Sequence, residues 1–236
     1  MLSKNQIKLI NSLSHKKFRD EHKLFVAEGN KLVHDLSSYF ECVLQVTDAD
    51  DLQKVSQLST PSSLLAVFRQ RPTVDPFSII PDTPAQDSLV LALDTVQDPG
   101  NLGTIIRTAD WFGVHTILCS QQTADVYNPK VVQSTMGALA RVNMIYCDLE
   151  QTLSAFRKNN WSIYGTFLDG SSIYETSLNK TKSIIVMGNE GNGISEKIKQ
   201  LVSDKLLIPS YPDNEPTSES LNVAIATAIT LSVFRH

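Results

Sequence analysis

The sequence has few cysteines, and their arrangement does not suggest cross-linking. Its 236 residues include three, Cys42, Cys119 and Cys147, with no Cys-x-x-Cys pair and no histidine at metal-ligand spacing. An odd number of scattered cysteines argues against a disulfide framework and against a structural zinc site. We therefore expect a protein of a reducing compartment with no bound metal.

Long apolar runs and internal repeats are also missing. No apolar stretch approaches the length that a bilayer-spanning helix needs. The first residues, MLSKNQIKLINSL, are polar and amphipathic, whereas a secretory signal has an apolar centre. These features predict a cytoplasmic protein that does not associate with membranes.

The sequence also lacks an excess of positive charge. The formal net charge is −4, so the whole chain gives no argument for nucleic-acid binding. The charge is unevenly distributed, because residues 1–34 carry seven lysine and arginine side chains against three acidic ones. On charge alone, this stretch favours a solvated helix face.

The first part of the chain has the pattern of a small α/β domain. Ser3 and Gln6 predict a capping box at the start of a helix. Further along, apolar and polar segments alternate as in strands and helices. The predicted strands are 23–29, 42–46 and 63–68, and the predicted helices after the first are 30–38 and 48–58.

A proline-rich segment interrupts this pattern and predicts a domain boundary. Residues 71–87 contain four prolines, which favour an extended linker. The expected domains are therefore 1–80 and 86–236. In the second domain we predict strands at 88–94, 115–119, 141–147, 162–168, 183–187 and 206–209, with helices at 101–112, 129–139, 149–159, 194–202 and 220–234. This alternation is typical of an α/β fold with a parallel sheet covered on both faces.

Ligands of open parallel sheets bind outside the carboxyl ends of the strands, so the loops there are the candidate site. The first is LDTVQDPGNLGTIIRTADWFGV (93–114). Pro99 and Gly100 predict a turn, and Asn101 is expected to cap the helix that starts there. Arg107 lies on the same helix and could reach the crevice through its long side chain. Taken alone, this loop favours an ordinary cap and a surface arginine over a ligand site.

The second loop, IIVMGNEGNGIS (184–195), places three glycines between a strand and a helix. Gly188, Gly191 and Gly193 would let the backbone approach a ligand and expose N–H groups near a helix N-terminus. Their spacing is neither the dinucleotide fingerprint nor a phosphate-binding loop, which would need a lysine. Glu190 would repel a phosphate and suits a cationic ligand or a hydrogen-bond donor. An ordinary turn between strand and helix remains the alternative.

The third loop leads into an apolar final helix within LLIPSYPDNEPTSESLNVAIATAITLSVF (206–234). Ser218 or Ser220 could cap this helix, which is apolar nearly all round and is expected to be buried. Asn222 is the polar exception near its start, and a buried asparagine needs partners. It could satisfy a neighbouring loop or orient a catalytic group.

Together, the three loops resemble the motifs of the SpoU/TrmH family of RNA ribose methyltransferases. The matching segments are NLGTIIRTADWFG, IVMGNEGNGIS and IP…SESLNVAIATAI, and YNPKVVQSTMGALARV (127–142) matches the stretch between the first two motifs. The first domain is similar to the family's ribosomal-protein-L30e-like substrate-binding domain through SKNQIKLINSL, KKFR and LFVAEG. The resemblance covers most of the chain, in order.

The resemblance implies an S-adenosylmethionine-dependent methyltransferase domain with a trefoil knot, acting as a homodimer with its sites at the subunit interface. It also implies ribose 2′-O-methylation of RNA, with ribosomal RNA favoured over transfer RNA. The implied active-site positions are Asn101, Arg107, Glu190, Ser220 and Asn222. The implied cofactor positions are Gly188, Gly191, Gly193, Ile208 and Leu221. Lys16, Lys17 and Arg19 would contact RNA phosphates.

The third motif departs from the family pattern. Family members usually place Met and Gly after Ile-Pro, whereas Ser210 follows here and a longer, proline-bearing loop runs from Tyr211 to Glu219. Ala224 stands where many members carry serine. The alternative function is a catalytically idle RNA-binding protein that assists ribosome assembly. A nucleotide-binding enzyme using residues 188–193 for phosphate is a third alternative.

Overall fold

The first sheet is small and antiparallel. The computed structural model describes residues 1–79, 88–212 and 218–236. Near the N-terminus, three strands pair in the order β1-β3-β2. These are β1 (Leu24–Glu28), β2 (Cys42–Val46) and β3 (Leu65–Arg69), accompanied by helices α1 (Lys4–Ser12), α2 (Lys16–His22), α3 (Asn30–Ser37) and α4 (Ala49–Val55). The predicted capping box is confirmed, because the Ser3 and Gln6 side chains each bond the other's backbone N–H.

The second sheet has six strands, and the prediction of a parallel α/β fold is confirmed. Its order is β6-β5-β4-β8-β7-β9, and every neighbouring pair is parallel. The strands are β4 (Ser88–Leu93), β5 (Thr116–Cys119), β6 (Asn143–Tyr146), β7 (Ser162–Ser172), β8 (Lys182–Met187) and β9 (Asp204–Leu207). The helices are α5 (Pro99–Trp111), α6 (Pro129–Ser134), α7 (Leu149–Lys158), α8 (Glu196–Lys199) and α9 (Val223–Arg235).

The central strands β4 and β8 are buried on both faces. Successive strand side chains point to opposite faces of a sheet. Leu91 and Ile185 accordingly lie in one apolar cluster, and Ala92 and Ile184 in the other. Both clusters exclude water, which explains why these strands are continuous apolar runs.

Three predicted helices are clearly shorter in the structure. The helix expected at 48–58 ends at Val55. The helix expected at 129–139 stops at Ser134, and a short 3₁₀ turn follows at Ala138–Ala140. Met136 and Gly137 lie between them with positive φ angles of 51° and 93°, which a right-handed helix cannot include. The helix expected at 194–202 is only the single turn of α8. Helix α2, in contrast, forms in a stretch for which the pattern predicted no element.

The glycine of the first motif serves helix packing. A Cβ atom on Gly103 would lie 2.4 Å from the Cβ atom of Ser134 and 3.0 Å from the carbonyl oxygen of Val131. Only glycine therefore allows α5 and α6 to approach this closely.

Helices α5 and α9 lie side by side and run in the same direction. At their N-termini, Asn222 Nδ2 donates to Asn101 Oδ1 at 2.9 Å. At their C-termini, Arg235 Nε donates to the carbonyl oxygen of Phe112 at 2.9 Å. The first and third motifs thus begin at the same place in the fold.

Arg19 connects the two halves of the chain and is not placed to bind RNA. Its side chain is only 2% exposed, and Nη2 and Nε donate to Asp125 Oδ2 at 2.7 and 3.0 Å. Nη1 donates to the carbonyl oxygens of Leu13 and Ser14. The expected phosphate contact of Arg19 is therefore corrected, because a buried guanidinium engaged in this way has no route to a phosphate.

Two further findings concern membranes and metals. In residues 1–79, 88–212 and 218–236, no helix is both long and apolar enough to span a bilayer. Within the same residues, no group of three or more His, Cys, Asp or Glu side chains is arranged to hold a metal ion.

Candidate functional site

Two of the three loops are tied together at the carboxyl ends of the neighbouring strands β4 and β8. Asp94, directly after β4, accepts a hydrogen bond from the backbone N–H of Ser195 at 2.7 Å. The carbonyl oxygen of Thr95 accepts from Asn189 Nδ2 at 2.8 Å. The loops meet at the edge of the sheet where the topology predicts a ligand.

The glycines of the second loop fold it into a tight bend. A Cβ atom on Gly188 would lie 2.3 Å from the carbonyl carbon of Gly193, so no larger residue fits there. Gly193 has a φ angle of +68°, which also favours glycine. Asn189 and Gly193 exchange two backbone hydrogen bonds of 2.9 Å across the bend. The loop is therefore shaped by its own backbone.

Asn189 is a residue that the sequence patterns did not single out. Its Oδ1 atom accepts from the backbone N–H groups of Gly191 and Asn192, both at 3.0 Å. These N–H groups are thus used within the loop, contrary to the expectation that they would face a ligand. The signal was available, because an asparagine two residues before a glycine often bonds its own loop in this way.

A chain of hydrogen bonds joins all three motifs. Asn222 Oδ1 accepts from the backbone N–H groups of Ala224 and Ile225 at 2.9 and 3.3 Å. This contact leaves Asn222 Nδ2 to donate to Asn101 Oδ1 at 2.9 Å, and Asn101 Nδ2 donates in turn to Glu190 Oε1 at 2.9 Å. The backbone N–H groups at the N-terminus of α9 bond the oxygen of the Asn222 amide, so its nitrogen must face Asn101. The Asn101 amide is oriented in the same way, with its nitrogen toward Glu190.

The helix caps at this site differ from the predicted ones. Asp98 caps α5 by accepting from the backbone N–H of Asn101 at 2.8 Å, so Asn101 lies inside the first turn. Asn222 caps α9, a role predicted for Ser218 or Ser220. Asn222 is also exposed, whereas the apolar final helix predicted that it would be buried. With Asp98 capping α5, the Asn101 side chain is free to accept a hydrogen bond from Asn222.

Arg107 and Ser220 are not part of this hydrogen-bonded chain. Arg107 is exposed on α5, and its guanidinium makes no hydrogen bond or ion pair with a described residue. Ser220 is exposed in the segment before α9 and is likewise unbonded to the described residues. Neighbouring Leu221 is 47% exposed. Ile208, which follows β9, packs partly buried against the core.

Lys16 and Lys17 are exposed on α2, near a cleft between the two halves of the chain. Lys16 pairs with Asp20 at 2.7 Å, and both side chains are exposed. The cleft has a volume of about 690 Å³ and runs along strand β6. Its charged lining residues are Lys16, Lys23, Arg69, Arg71, Asp20 and Asp125.

Comparison with known proteins identifies the family. Residues 88–232 match the model of the SpoU rRNA Methylase family, and residues 4–44 match that of the MRM3-like substrate binding domain. The first match covers more than half of the chain.

The chain belongs to the SpoU rRNA methylase family.

Two curated relatives match this chain over different lengths, 88% of it in one case and 64% in the other. The 23S rRNA (guanosine(2553)-2′-O)-methyltransferase RlmP of Bacillus subtilis is 29% identical over 88% of this chain and 77% of its own length. The 23S rRNA (guanosine-2′-O-)-methyltransferase RlmB of Neisseria meningitidis is 32% identical, and this chain spans 60% of its length.

Two solved structures have the same fold over the full chain. A protein from Porphyromonas gingivalis assigned to the TrmH family of RNA methyltransferases superposes with a TM-score of 0.87 and is 40% identical, over 100% of this chain and 98% of its own. The AdoMet-bound rRNA methyltransferase of Sinorhizobium meliloti gives a TM-score of 0.89 at 28% identity, over 100% and 95% of the two chains. This SpoU protein is accordingly an RNA methyltransferase that uses S-adenosylmethionine.

The SpoU loops fit that cofactor. The absence of a side chain at Gly188 lets the second loop close on its own backbone at Gly193, and this bend sets the shape of the loop. Glu190 lies on the exposed part of the same loop, and of its two oxygens Asn101 occupies only Oε1. An exposed carboxylate suits a cationic sulfonium compound better than a phosphate, which it would repel.

Proposed function

We propose that this protein transfers a methyl group from S-adenosylmethionine to the 2′-hydroxyl of a ribose in ribosomal RNA. The observation that carries the proposal is the hydrogen-bonded chain Glu190–Asn101–Asn222, which unites residues from three distant motifs. The names of RlmP and RlmB, both 2′-O-methyltransferases of 23S rRNA, support the same reaction and substrate class.

In this proposal the second and third motifs hold the cofactor. Bound S-adenosylmethionine supplies an electrophilic methyl group on a positively charged sulfur. Backbone groups of Gly188, Ile208 and Leu221 bind it, and Gly191 and Gly193 shape the loop around it. Glu190 steadies these loops and provides a negative charge, because its carboxylate is held by Asn101.

Arg107 binds and stabilises the reacting ribose. A guanidinium stays charged at ordinary pH, so it acts as a hydrogen-bond donor and a fixed positive charge. It would hold the phosphate next to the ribose and stabilise negative charge on the 2′-oxygen as that oxygen loses its proton. Asn101, Ser220 and Asn222 orient the ribose. Alignment of the 2′-oxygen with the methyl group and exclusion of water then supply most of the rate enhancement.

The proposal includes a homodimer with the site at the subunit interface. Arg107 has no partner among the described residues of its own chain, and apolar side chains are exposed near it on α5 and α9. Trp111 is 85% exposed and Ile225 is 52% exposed. A second subunit would cover these side chains and enclose the site.

We also propose that residues 1–80 bind RNA and that residues 86–236 carry out the transfer. The boundary between residues 80 and 86 lies outside the described residues. Lys16 and Lys17 on exposed α2 would contact phosphates, and the cleft beside them offers a path for the strand. Family membership supports a ribosomal-protein-L30e-like first domain and a trefoil knot in the second.

The Arg107→Ala variant tests the chemistry. It should still bind S-adenosylmethionine but lose transfer by about a hundredfold or more, the typical loss when one donor to a developing oxyanion is removed. Arg157→Ala is the matched control, because Arg157 is also an exposed arginine on a helix. This variant should keep the turnover of the wild type. Wild-type turnover in Arg107→Ala would contradict the assigned role.

The substrate is tested with methyl-labelled S-adenosylmethionine and total RNA. The large ribosomal, small ribosomal and transfer RNA are separated afterwards and digested to nucleosides. We expect label in a 2′-O-methyl nucleoside of one ribosomal fraction. Label on a base or only in transfer RNA would refute the respective part of the proposal. No label together with no cofactor binding by calorimetry would favour the idle RNA-binding alternative. The altered third loop that motivates this alternative lies partly at 213–217, outside the described residues.

A further inference from the structure

We infer that Asp94 is a positioning residue for methyl transfer. Its buried carboxylate, together with Thr95, holds the glycine loop 188–195 in the shape that receives S-adenosylmethionine. This inference rests on the proposed function, because that proposal assigns the cofactor to the loop.

The surroundings of Asp94 point to this role. The residue is only 5% exposed, and no described cation forms an ion pair with it. Oδ2 accepts from the Ser195 backbone N–H at 2.7 Å, and Oδ1 accepts from Thr95 Oγ1 at 3.2 Å. A buried carboxylate without a cation is costly unless hydrogen bonds compensate, and the bond to Ser195 is short, as expected for a charged acceptor.

Thr95 adds a second, independent observation. Its φ angle is +64°, a left-handed conformation that is unusual for a β-branched residue. Three contacts hold it there: its backbone N–H donates to Ser120 Oγ at 2.9 Å, its carbonyl accepts from Asn189, and its hydroxyl bonds Asp94. Strained residues of this kind persist where the surroundings over-determine them, and such places are often functional sites.

The two contacts hold the glycine loop near both of its ends. Thr95 binds Asn189 near the start of the loop, and Asp94 binds Ser195 at its end. Glu190 lies between these two points. Asn101 lies a few residues further along the segment that contains Asp94 and Thr95. By holding the loop at both ends, these two residues keep Glu190 at 2.9 Å from Asn101.

Another aspartate in this protein shows what a purely structural role looks like. Asp148 follows β6 by two residues and caps α7, accepting from the backbone N–H of Gln151 at 2.9 Å. Asp94 does not cap the helix that follows it, since Asp98 does so. The shorter of its two hydrogen bonds instead reaches Ser195, 101 positions along the chain.

The test compares two substitutions at Asp94. In Asp94→Asn the side-chain oxygen can still accept from Ser195 and the amide can donate to Thr95, whereas Asp94→Ala removes both contacts. We expect Asp94→Ala to weaken S-adenosylmethionine binding about tenfold or more in calorimetry. It should also speed amide hydrogen exchange in residues 188–195 without cofactor. Asp94→Asn should stay within about threefold of the wild type on the same scale, and the KM for RNA should not change in either variant.

Two further variants keep the test decisive. Asp148→Ala should lower the melting temperature while leaving cofactor binding unchanged. Ser195→Pro removes the N–H that Asp94 accepts from, and Ser195 already has a φ angle of −62°, close to that of proline. It should therefore reproduce the loss of binding even if Asp94→Ala does not fold.

The outcomes separate this inference from the proposed function. Wild-type affinity in both Asp94→Ala and Ser195→Pro would overturn the positioning role, as would an equal loss of affinity in Asp94→Asn and Asp94→Ala. Wild-type protein that binds S-adenosylmethionine but does not label ribose would sink the proposed reaction instead. In that case the binding and exchange measurements would still decide the role of Asp94.

Discussion

At the scale of single residues, asparagine is used where one side chain must both accept and donate. Asn222 caps α9 with its oxygen and donates to Asn101 with its nitrogen. An aspartate would cap the helix equally well but could not donate. Asn189 likewise binds two N–H groups of its own loop and a carbonyl of the other loop. The choice of asparagine over aspartate therefore follows from the contacts between loops.

Thr95 gives a stability prediction at this scale. Asparagine tolerates the left-handed conformation better than threonine and can still donate to Asp94, so Thr95→Asn should raise the free energy of unfolding by about 0.5–1 kcal/mol. Thr95→Val keeps the β-branch and loses the hydroxyl, so it should lower that free energy by about 1 kcal/mol. Urea denaturation measures both. A Val variant more stable than the Asn variant would contradict strain at this position.

At the scale of elements, the parallel helices α5 and α9 carry residues of the candidate site, and each helix also exposes a stripe of side chains. Their exposed or half-buried positions recur at helical spacing, which marks one stripe on each helix. The stripe on α5 is Thr104, Arg107, Thr108 and Trp111, and that on α9 is Ile225, Ala228, Ile229 and Ser232. The α9 stripe is mostly apolar, and the α5 stripe ends in the exposed Trp111. Exposed apolar side chains on neighbouring helices are typical of an interface between subunits.

The dimer prediction belongs to these helices. The chain has a mass of 26.1 kDa, and light scattering should give twice that value for the wild type. Trp111→Glu and Ile225→Glu each place a charge in the proposed interface and should give the monomer mass. Tyr174→Glu changes an aromatic residue that is 61% exposed elsewhere and should leave the dimer intact. A monomeric wild type, or dimers in both interface variants, would contradict the prediction.

At the scale of the whole molecule, the buried pair of Arg19 and Asp125 couples the two sheets. Arg19 lies on α2 beside the first sheet, and Asp125 follows β5 of the second. Arg71 adds a second link, since its guanidinium donates to backbone carbonyls near β6 and lies 4.5 Å from the centre of the Phe40 ring. Partial burial lowers the pKa of Arg71. Both arginines therefore contribute to the relative placement of the two halves, together with the buried apolar cluster that residues of both halves share.

Breaking the pair should be costly. Arg19→Met leaves the half-buried Asp125 without its cation and should lower the free energy of unfolding by about 3 kcal/mol, the low end of the range for buried pairs. Arg69→Met removes an exposed pair with Glu41 that solvent screens, so it should lower the free energy of unfolding far less. Urea denaturation of both variants makes the comparison. An Arg19→Met loss no larger than that of Arg69→Met would show that the coupling contributes little stability.

Much of the architecture was predictable from local sequence, while several contacts were not. The order of strands and helices apart from α2, the parallel sheet and the capping box of Ser3 follow from short-range patterns of apolar and polar residues, and the structure confirms them. The roles assigned to Asn101, Arg107 and Glu190 came from resemblance and stay predictions. The caps at Asp98 and Asn222 were missed because several capping residues stood close together.

What the sequence by itself determined is therefore the set of elements and the family, because both are encoded in residues near one another along the chain. Only the tertiary structure decided that Arg19 is buried, that Asp94 reaches Ser195 and that Asn101 bonds both Glu190 and Asn222. These partners lie 89 to 121 positions apart. Asp94 meets Ser195, and Asn101 meets Glu190 and Asn222, because β4 lies beside β8 and α5 beside α9. Arg19 meets Asp125 because α2 packs close to the segment after β5. The periodicity of a single strand or helix carries no information about its neighbours.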